Sequence, residues 1–445
     1  MVQITAESVL KSGGIIKSLV TDLSGGLREI IFPAKIITEL TTVGIAYDGS
    51  SFQGINEINC SDAIIVGDAK AIYQVPAVIA DTDAPEYWVM CDIYTTDGAP
   101  HSNCARNRLK TIQAELAQVW DGGNMMVGAE PEAFFVENGQ KSVGTLDGGN
   151  SNYFNPRDPK TFMITELVEI LGEMGFEIER AHTEVGDEQF EINWRYDTAH
   201  VTADKIQLYK LVSHKLAQNY GFDVTFLPKP YANRNGSGMH FHLSVANEDR
   251  NLFYDATKED QKYFSDKALH FLAGILKYSR SIAAVANSTE ASYARLVPGY
   301  EAPCIIAIGS FNRSAACRIP AIADQNILAK ALRAEFRFPD PLANPYLLGV
   351  AFITAGLLGL ENEEKFKGFT DENLYALSME QIRRKRLKLL PRNLWEAYSD
   401  FMMHPSFAEK FGKNIHKTYS DLILKEVDEC QCHANVESMR RHYFA

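Results

Sequence analysis

The chain has 445 residues, 46% of them hydrophobic and 11% aromatic, and a formal net charge of −13. That length calls for two or three domains with ample core, and the composition excludes disorder. The acidic balance argues against a nucleic-acid partner.

Seven sparse cysteines (Cys60, Cys91, Cys104, Cys304, Cys317, Cys430, Cys432) lack finger spacing and favour a reducing, cytoplasmic setting. Met1-Val2-Gln3-Ile4 has neither the basic start nor the apolar run of a leader. The most apolar stretch, Tyr346 to Leu360, is fifteen residues long. A bilayer span needs ~20, so a buried helix and no membrane are expected.

In chain order, Ile15 to Leu19 and Glu29 to Phe32 flank Ser24-Gly25-Gly26 and read as a hairpin. Tyr47-Asp48-Gly49-Ser50-Ser51-Phe52 is a polar turn headed by an acid. Ala63 to Val66 and Trp88 to Tyr94 are strands, and Asp97-Gly98-Ala99-Pro100 punctuates. The boundary is placed there, giving one unit over 1–100 and a larger one over 101–445. Leu109, Ile112, Leu116 and Val119 recur at helical spacing up to about Trp120.

Met126 to Val136 is an apolar strand carrying Glu130 and Glu132 on one face. Burying both without partners is costly, so the face is solvated or, as favoured here, binds a cation. A helix over Met163 to Gly172 precedes a hairpin with Glu184 and Glu191, and a second helix spans Thr202 to Gln218. Asn235-Gly236-Ser237-Gly238-Met239-His240-Phe241-His242 follows. Its glycines read as a tight turn that lets a ligand approach, feeding a strand whose two histidines share a face. Lys262 to Ala286 is helical, and Tyr293 to Pro303 is an irregular loop. Arg313 and Arg318 lie on or beside strands, Arg333 to Pro341 forms another, and the rest is helical, with an amphipathic end suited to assembly. Strand-borne acids with helices outside imply an α+β fold with a curved, mainly antiparallel sheet.

Glu130, Glu132, Glu184, Glu191, Glu335 and His240 form an oxygen-rich donor set. It suits Mg2+ or Mn2+, and it is large enough for two to three ions. Arg295, Arg313, Arg318 and Arg337 suit a polyphosphate and a second anion. No Walker loop is present, so the expectation is ATP-dependent activation outside the P-loop class, with a two-metal hydrolase as the alternative from composition.

The motifs go further. Asp48-Gly-Ser-Ser51, Cys91-Asp-Ile-Tyr94, Glu130-Pro-Glu132, His182 to Glu191, Asn235 to His240, Arg295 to Pro303, Asn312-Arg313-Ser314, Arg318-Ile-Pro320, Arg333 to Pro341 and Asn344-Pro-Tyr346 occur in this order. Over Tyr47 to about Tyr375 the chain resembles the bacterial and archaeal dodecameric (type I) glutamine synthetase family. The resemblance implies a β-grasp-like N-terminal domain before a catalytic one. It implies ligation of ammonia to L-glutamate through a γ-glutamyl phosphate at ATP's expense, in a dodecamer of two hexameric rings with active sites between neighbouring subunits.

By the same resemblance, Glu132, Glu184 and Glu191 hold one cation, and Glu130, His240 and Glu335 the cation that bridges the phosphates of ATP. Gly236, Arg295 and Arg337 contact glutamate. Arg313 and Arg318 contact phosphate, and Ser244, Arg333 and His242 lie toward the nucleotide. Glu301 is the acid of a closing flap. Asp48, entering from the neighbouring subunit, takes a proton from ammonium with Ser51 and Tyr153 beside it.

Departures are visible too. The family's second asparagine in Asn-Pro-Thr-x-Asn-Ser-Tyr-Lys-Arg is Ala291. The seven-residue step from Glu184 to Glu191 resembles the shorter subclass, which is not adenylylated. Tyr375 sits where the longer subclass is modified, although a packing tyrosine is the favoured reading. Glu57 stands where an arginine tied to glutamine feedback is common, which predicts weak inhibition by glutamine. γ-Glutamylation of an organic amine, or a catalytically silent homologue, are the alternative readings.

Overall fold

The computed structural model describes residues 4–137, 153–297 and 302–432. The first sheet holds β1 (Ile15–Thr21), β2 (Leu27–Pro33), β3 (Ile45–Asp48), β4 (Asp62–Gln74) and β5 (Glu86–Tyr94) in the order β2-β1-β5-β4-β3. β1 and β2 form the expected hairpin, and β1 runs parallel to β5 at the centre. Alternate residues of β5 serve two cores. Tyr87, Val89, Cys91 and Ile93 pack with Ile16, Val20, Ile37 and Leu40 in a small N-terminal core. Trp88 and Met90 enter the main core beside Leu19 and Leu109. β4 is longer than Ala63 to Val66 because a register shift between Gly67 and Ile72 lets it bend and continue along β5.

The second sheet comprises β6 (Asn124–Glu137), β7 (Ile178–Thr183), β8 (Gln189–Trp194), β9 (Asp197–Thr198), β10 (Phe222–Thr225), β11 (Met239–Ala246), β12 (Ile305–Ser310), β13 (Ala315–Ile319), β14 (Ala334–Phe336) and β15 (Lys388–Leu389). Its order is β15-β12-β13-β14-β11-β6-β8-β7, with β9 and β10 also on β6. Pairing is antiparallel except between β12 and β13. On β6, Met125, Val127 and Ala129 are buried in the core, and the residues between them face the opposite side.

Helices Ala105–Val119, Ala199–Asn219, Asp266–Ala286 and Pro345–Glu361 contribute to that core. Pro345–Glu361 is the apolar run expected to be a buried helix. Asn344 caps it by accepting from the Tyr346 and Leu347 amides. It meets Asp266–Ala286 so closely that a Cβ on Gly274 would lie 2.3 Å from the Ala355 carbonyl oxygen. No helix among the described residues is long and apolar enough to cross a membrane.

Two local expectations need correction. Asp266–Ala286 starts four residues after Lys262, because Lys262 and Tyr263 adopt positive φ and Ser265 supplies the cap to Ala268. The segment after Tyr293 is not loop from its start: Glu290–Arg295 is a short helix with a Thr289/Ser292 capping box, and it delivers Arg295.

A buried ion network ties β4 and β5 of the first sheet to the helices Ala105–Val119, Ala199–Asn219 and Pro345–Glu361. Arg106 donates to both oxygens of Asp204 (2.8 and 2.7 Å), to Asp92 (3.0 Å) and to Asp68 (2.9 Å). Lys110 also donates to Asp68 and Asp92, and the Tyr346 hydroxyl donates to Asp204.

Candidate active site

Sheet register lines the acids up. Glu132 on β6 lies opposite Glu191 on β8, and Glu191 opposite His182 on β7. In a second row, Glu130 on β6 lies opposite His240 on β11. In a third, His242 on β11 lies opposite Glu335 on β14, and Glu335 opposite Arg318 on β13. Five strands, β6, β7, β8, β11 and β14, therefore present adjacent carboxylates and imidazoles to one cavity of about 700 Å³.

Among the described residues, three groups could each hold a cation, their ligand atoms lying within 4.8 Å of one another: Glu130/His240/Glu335, Glu132/Glu191/His240 and His182/Glu184/Glu191. The first matches the expected set. The expected trio Glu132, Glu184 and Glu191 is divided between the other two. Glu184 lies past the end of β7, on the turn where its amide donates to the Gln189 carbonyl, and so falls beside His182.

The electrostatics fit divalent cations. Glu132 and Glu191 are buried. Burial and the Glu191 charge push the Glu132 carboxyl up to about 8. A pair that resists double ionisation is what a cation relieves. Burial opposes ionisation of Glu130 too, but the His242 and His240 imidazoles hold its carboxyl well below the usual range. His240 itself is kept neutral by burial and by Arg337, which suits a ligand.

The opposite wall is cationic. Arg318 Nη1 and Arg337 Nη1 each donate to Glu335, both at 2.6 Å. The Nε atoms of both arginines are buried without a hydrogen-bond partner, donors available to an anion. Arg295 donates to the carbonyls of Arg337, Phe338 and Pro339 (3.0, 2.9 and 3.2 Å). Asn287, bonded to Asp340 and to the Phe338 carbonyl, braces that segment from behind. Arg313 is exposed at the cavity mouth, and the Tyr375 hydroxyl donates to its carbonyl.

Gly236 and Gly238 do not have the positive φ of a turn glycine. They are spacers: a Cβ on Gly238 would lie 2.5 Å from Arg295 Nη2, and one on Gly236 2.3 Å from the Pro228 carbonyl oxygen. The bare backbone then serves the site, since Gly238 N donates to Glu132 and the Gly236 carbonyl accepts from Gln189.

A second cavity of about 310 Å³ adjoins the first, lined by Ser244, Met126, Tyr196 and Leu332 among others. Glu130, Arg180, His242 and Arg333 line both. Arg333 Nε donates to His242 Nδ1 (3.2 Å), and His242 Nε2 lies 3.1 Å from Glu130. Tyr153 packs on Phe154 with the rings tilted by 39°, and both rings meet His182 edge-on at the mouth.

Asp48 and Ser51 do not line this cavity. They sit at the end of β3, where Asp48 accepts from Ser50 N, Ser50 Oγ and Ser51 Oγ; these bonds lower its pKa. Glu301 lies outside the described residues. Reasoning from sequence gave no role to His182, Arg180 or Asp340. Stepping back from Glu184 by twos reaches His182 and Arg180, so strand periodicity held the signal for both. Asp340 offered none.

A small sheet followed in the chain by an acid-rowed, arginine-walled, mainly antiparallel sheet fits a ligase of the ATP- and metal-dependent kind. The comparisons give the family. A model described as the glutamine synthetase catalytic domain matches residues 102–442, and one described as the glutamine synthetase beta-Grasp domain matches residues 15–96. The glutamine synthetase of Thermotoga maritima is 34% identical over 429 residues, 95% of each chain. That of Thermus thermophilus is 35% identical over 414 residues, 92% of this chain and 91% of its own. A solved structure described as apo GmaS without ligand superposes with a TM-score of 0.86 at 25% identity, covering all of both chains. The chain belongs to the glutamine synthetase family.

Proposed function

We propose that the chain ligates ammonia to L-glutamate, producing L-glutamine, ADP and phosphate through a γ-glutamyl phosphate. The observation that carries this reading is one cavity with an acid row and an arginine wall meeting at Glu335. A carboxylate is a poor electrophile, and phosphorylation turns its oxygen into a leaving group. In this reading Glu130, His240 and Glu335 hold one cation, and Glu132, Glu184 and Glu191 another, two to three Mg2+ or Mn2+ in all. Held there, those ions would neutralise the charge of the phosphate groups.

Arg295, Arg337 and backbone at Gly236 orient the glutamate, and Arg313 and Arg318 stabilise charge on the transferred group. Ser244, Arg333 and His242 face the nucleotide, and Glu301 closes over the intermediate to exclude water. Asp48, Ser51 and Tyr153 gather the ammonium. The hydrogen bonds that keep Asp48 ionised favour holding a cation. Burial against a neighbouring subunit would raise its pKa toward that of a base. A dodecamer of two rings, a cytoplasmic setting, and the division at residue 100 belong to the same proposal.

Purified protein with ATP, Mg2+ and glutamate should release phosphate when ammonium is added. The second reading, γ-glutamylation of an organic amine, draws support from Phe154, 60% exposed and lining the cavity, an apolar surface on which an alkyl group could lie. Phosphate release with ethanolamine or polyamines and none with ammonium would establish it instead. The residue at Glu57 predicts weak inhibition by glutamine, and strong inhibition at cellular concentrations would refute that.

A further inference from the structure

We propose that Arg180 clamps the nucleotide's polyphosphate where the two cavities meet, exchanging Glu130 for phosphate oxygens when the nucleotide binds. The inference rests on the reading of these cavities as the cation and nucleotide site.

A linear polyanion running from the smaller cavity into the larger must pass Glu130, Arg180, His242 and Arg333, which line both. Two of these are guanidinium groups. Arg333 is already engaged with His242 and with the Ala331 carbonyl. Arg180 is differently held. On β7 it lies opposite Asn193, just after a register shift between Ile178 and Arg180. Such a bulge re-aims side chains, and here Glu179 and Arg180, neighbours that a regular strand would point apart, both line the smaller cavity. Arg180 Nε donates to Asn193 Oδ1 at 2.8 Å, which anchors the stem of the fork, and Nη2 donates to Glu130 Oε1 at 2.7 Å.

That second bond is made to be given up. The Arg180 side chain is 59% exposed, and exposed ion pairs contribute little. Glu130 retains His240 at 3.2 Å and His242 at 3.1 Å without it. A cation taking the Glu130 oxygens displaces the guanidinium and leaves two positive charges side by side. Phosphate oxygens satisfy both, and a planar fork matches them bidentately. In the absence of nucleotide the same fork adds a further partner to Glu130.

The test uses the full chain with Arg180→Ala and Arg180→Lys. Calorimetry with ADP, with and without Mg2+, gives the affinities, and steady-state kinetics give KM for ATP and for glutamate. Arg180→Ala should weaken ADP binding in Mg2+ and raise KM for ATP about 10- to 100-fold, the range for a lost charge-assisted bond. Glutamate KM should hold within about twofold. Adenosine, which has no phosphates, should bind both proteins equally. Arg180→Lys should recover only part of the loss, because a point charge lacks the fork. ADP binding by Arg180→Ala as tight as wild type, or tighter, overturns the clamp and leaves Arg180 a shield for Glu130, with the functional reading intact. A wild-type chain that binds no adenine nucleotide overturns both.

Discussion

Two clusters of buried charge do opposite things in this molecule. Around Arg106, charges of opposite sign interleave: Arg106 reaches Asp68, Asp92 and Asp204, and Lys110 reaches two of the same acids. Burial opposes ionisation of Asp68, yet Arg106 and Lys110 hold its carboxyl far below the usual range. In the cavity the signs are segregated. Arg318 and Arg337 both spend a bond on Glu335, while Glu132 and Glu191 face each other across two strands and Glu132 is pushed up to about 8. A network that closes on itself joins the first sheet to the helices packed on it, whereas one left locally short of positive charge is a receptor for cations.

Substitutions should split the clusters along that line. The largest effect falls on turnover. Glu335→Ala removes the group on which both walls converge, and phosphate release should drop about a thousandfold or more while the oligomer persists by gel filtration. A fully active variant would break the cation assignment. Next, Asp204→Ala should destabilise the fold by about 3–5 kcal/mol in chemical denaturation, as expected when a buried partner is removed and Arg106 is left under-compensated. Unchanged stability would mean that the Arg106 cluster is not closed.

Glu132→Gln should do the reverse to stability. A carboxyl with a folded pKa near 8 and an ordinary value of 4.5 retains its proton in the folded state between those limits. The metal-free fold therefore loses stability from this group as pH rises from about 4.5 to about 8, and is indifferent to it above. Melting curves of metal-free wild type should fall across that window relative to Glu132→Gln, and Mg2+ should raise the wild-type Tm more than the variant's. Parallel curves would show that the two acids are not short of charge. The smallest effect belongs to His182→Ala, at about tenfold weaker binding of Mn2+. Unchanged binding would leave His182 a packing group beneath Tyr153 and Phe154.

Much of the fold was legible because strand periodicity and turn chemistry are local. Glu130 and Glu132 announced a shared face, and the Ser24-Gly25-Gly26 hairpin and the Tyr346 to Leu360 helix follow from composition alone. The other limits have physical causes. β5 is buried on both faces, so it shows no alternation that could reveal a second core. The cation groups depend on which strands become neighbours, and nothing local places β11 between β6 and β14. Glycine looks the same in sequence whether it turns a chain or clears space, and Gly236 and Gly238 clear space for Arg295, which reaches them through the fold.

His240 stands between two of the three cation groups, its Nδ1 3.2 Å from Glu130 and its Nε2 4.0 Å from Glu132. A neutral imidazole has one lone pair to give and one N–H. Whichever group receives the lone pair, the other faces the N–H, so the ring's two tautomers are two alternative assignments of a single ligand. Filling one position therefore sets the affinity of the other. A Mn2+ titration of the intact chain should resolve unequal occupancies, and replacing His240 should abolish that inequality along with the tighter of the two.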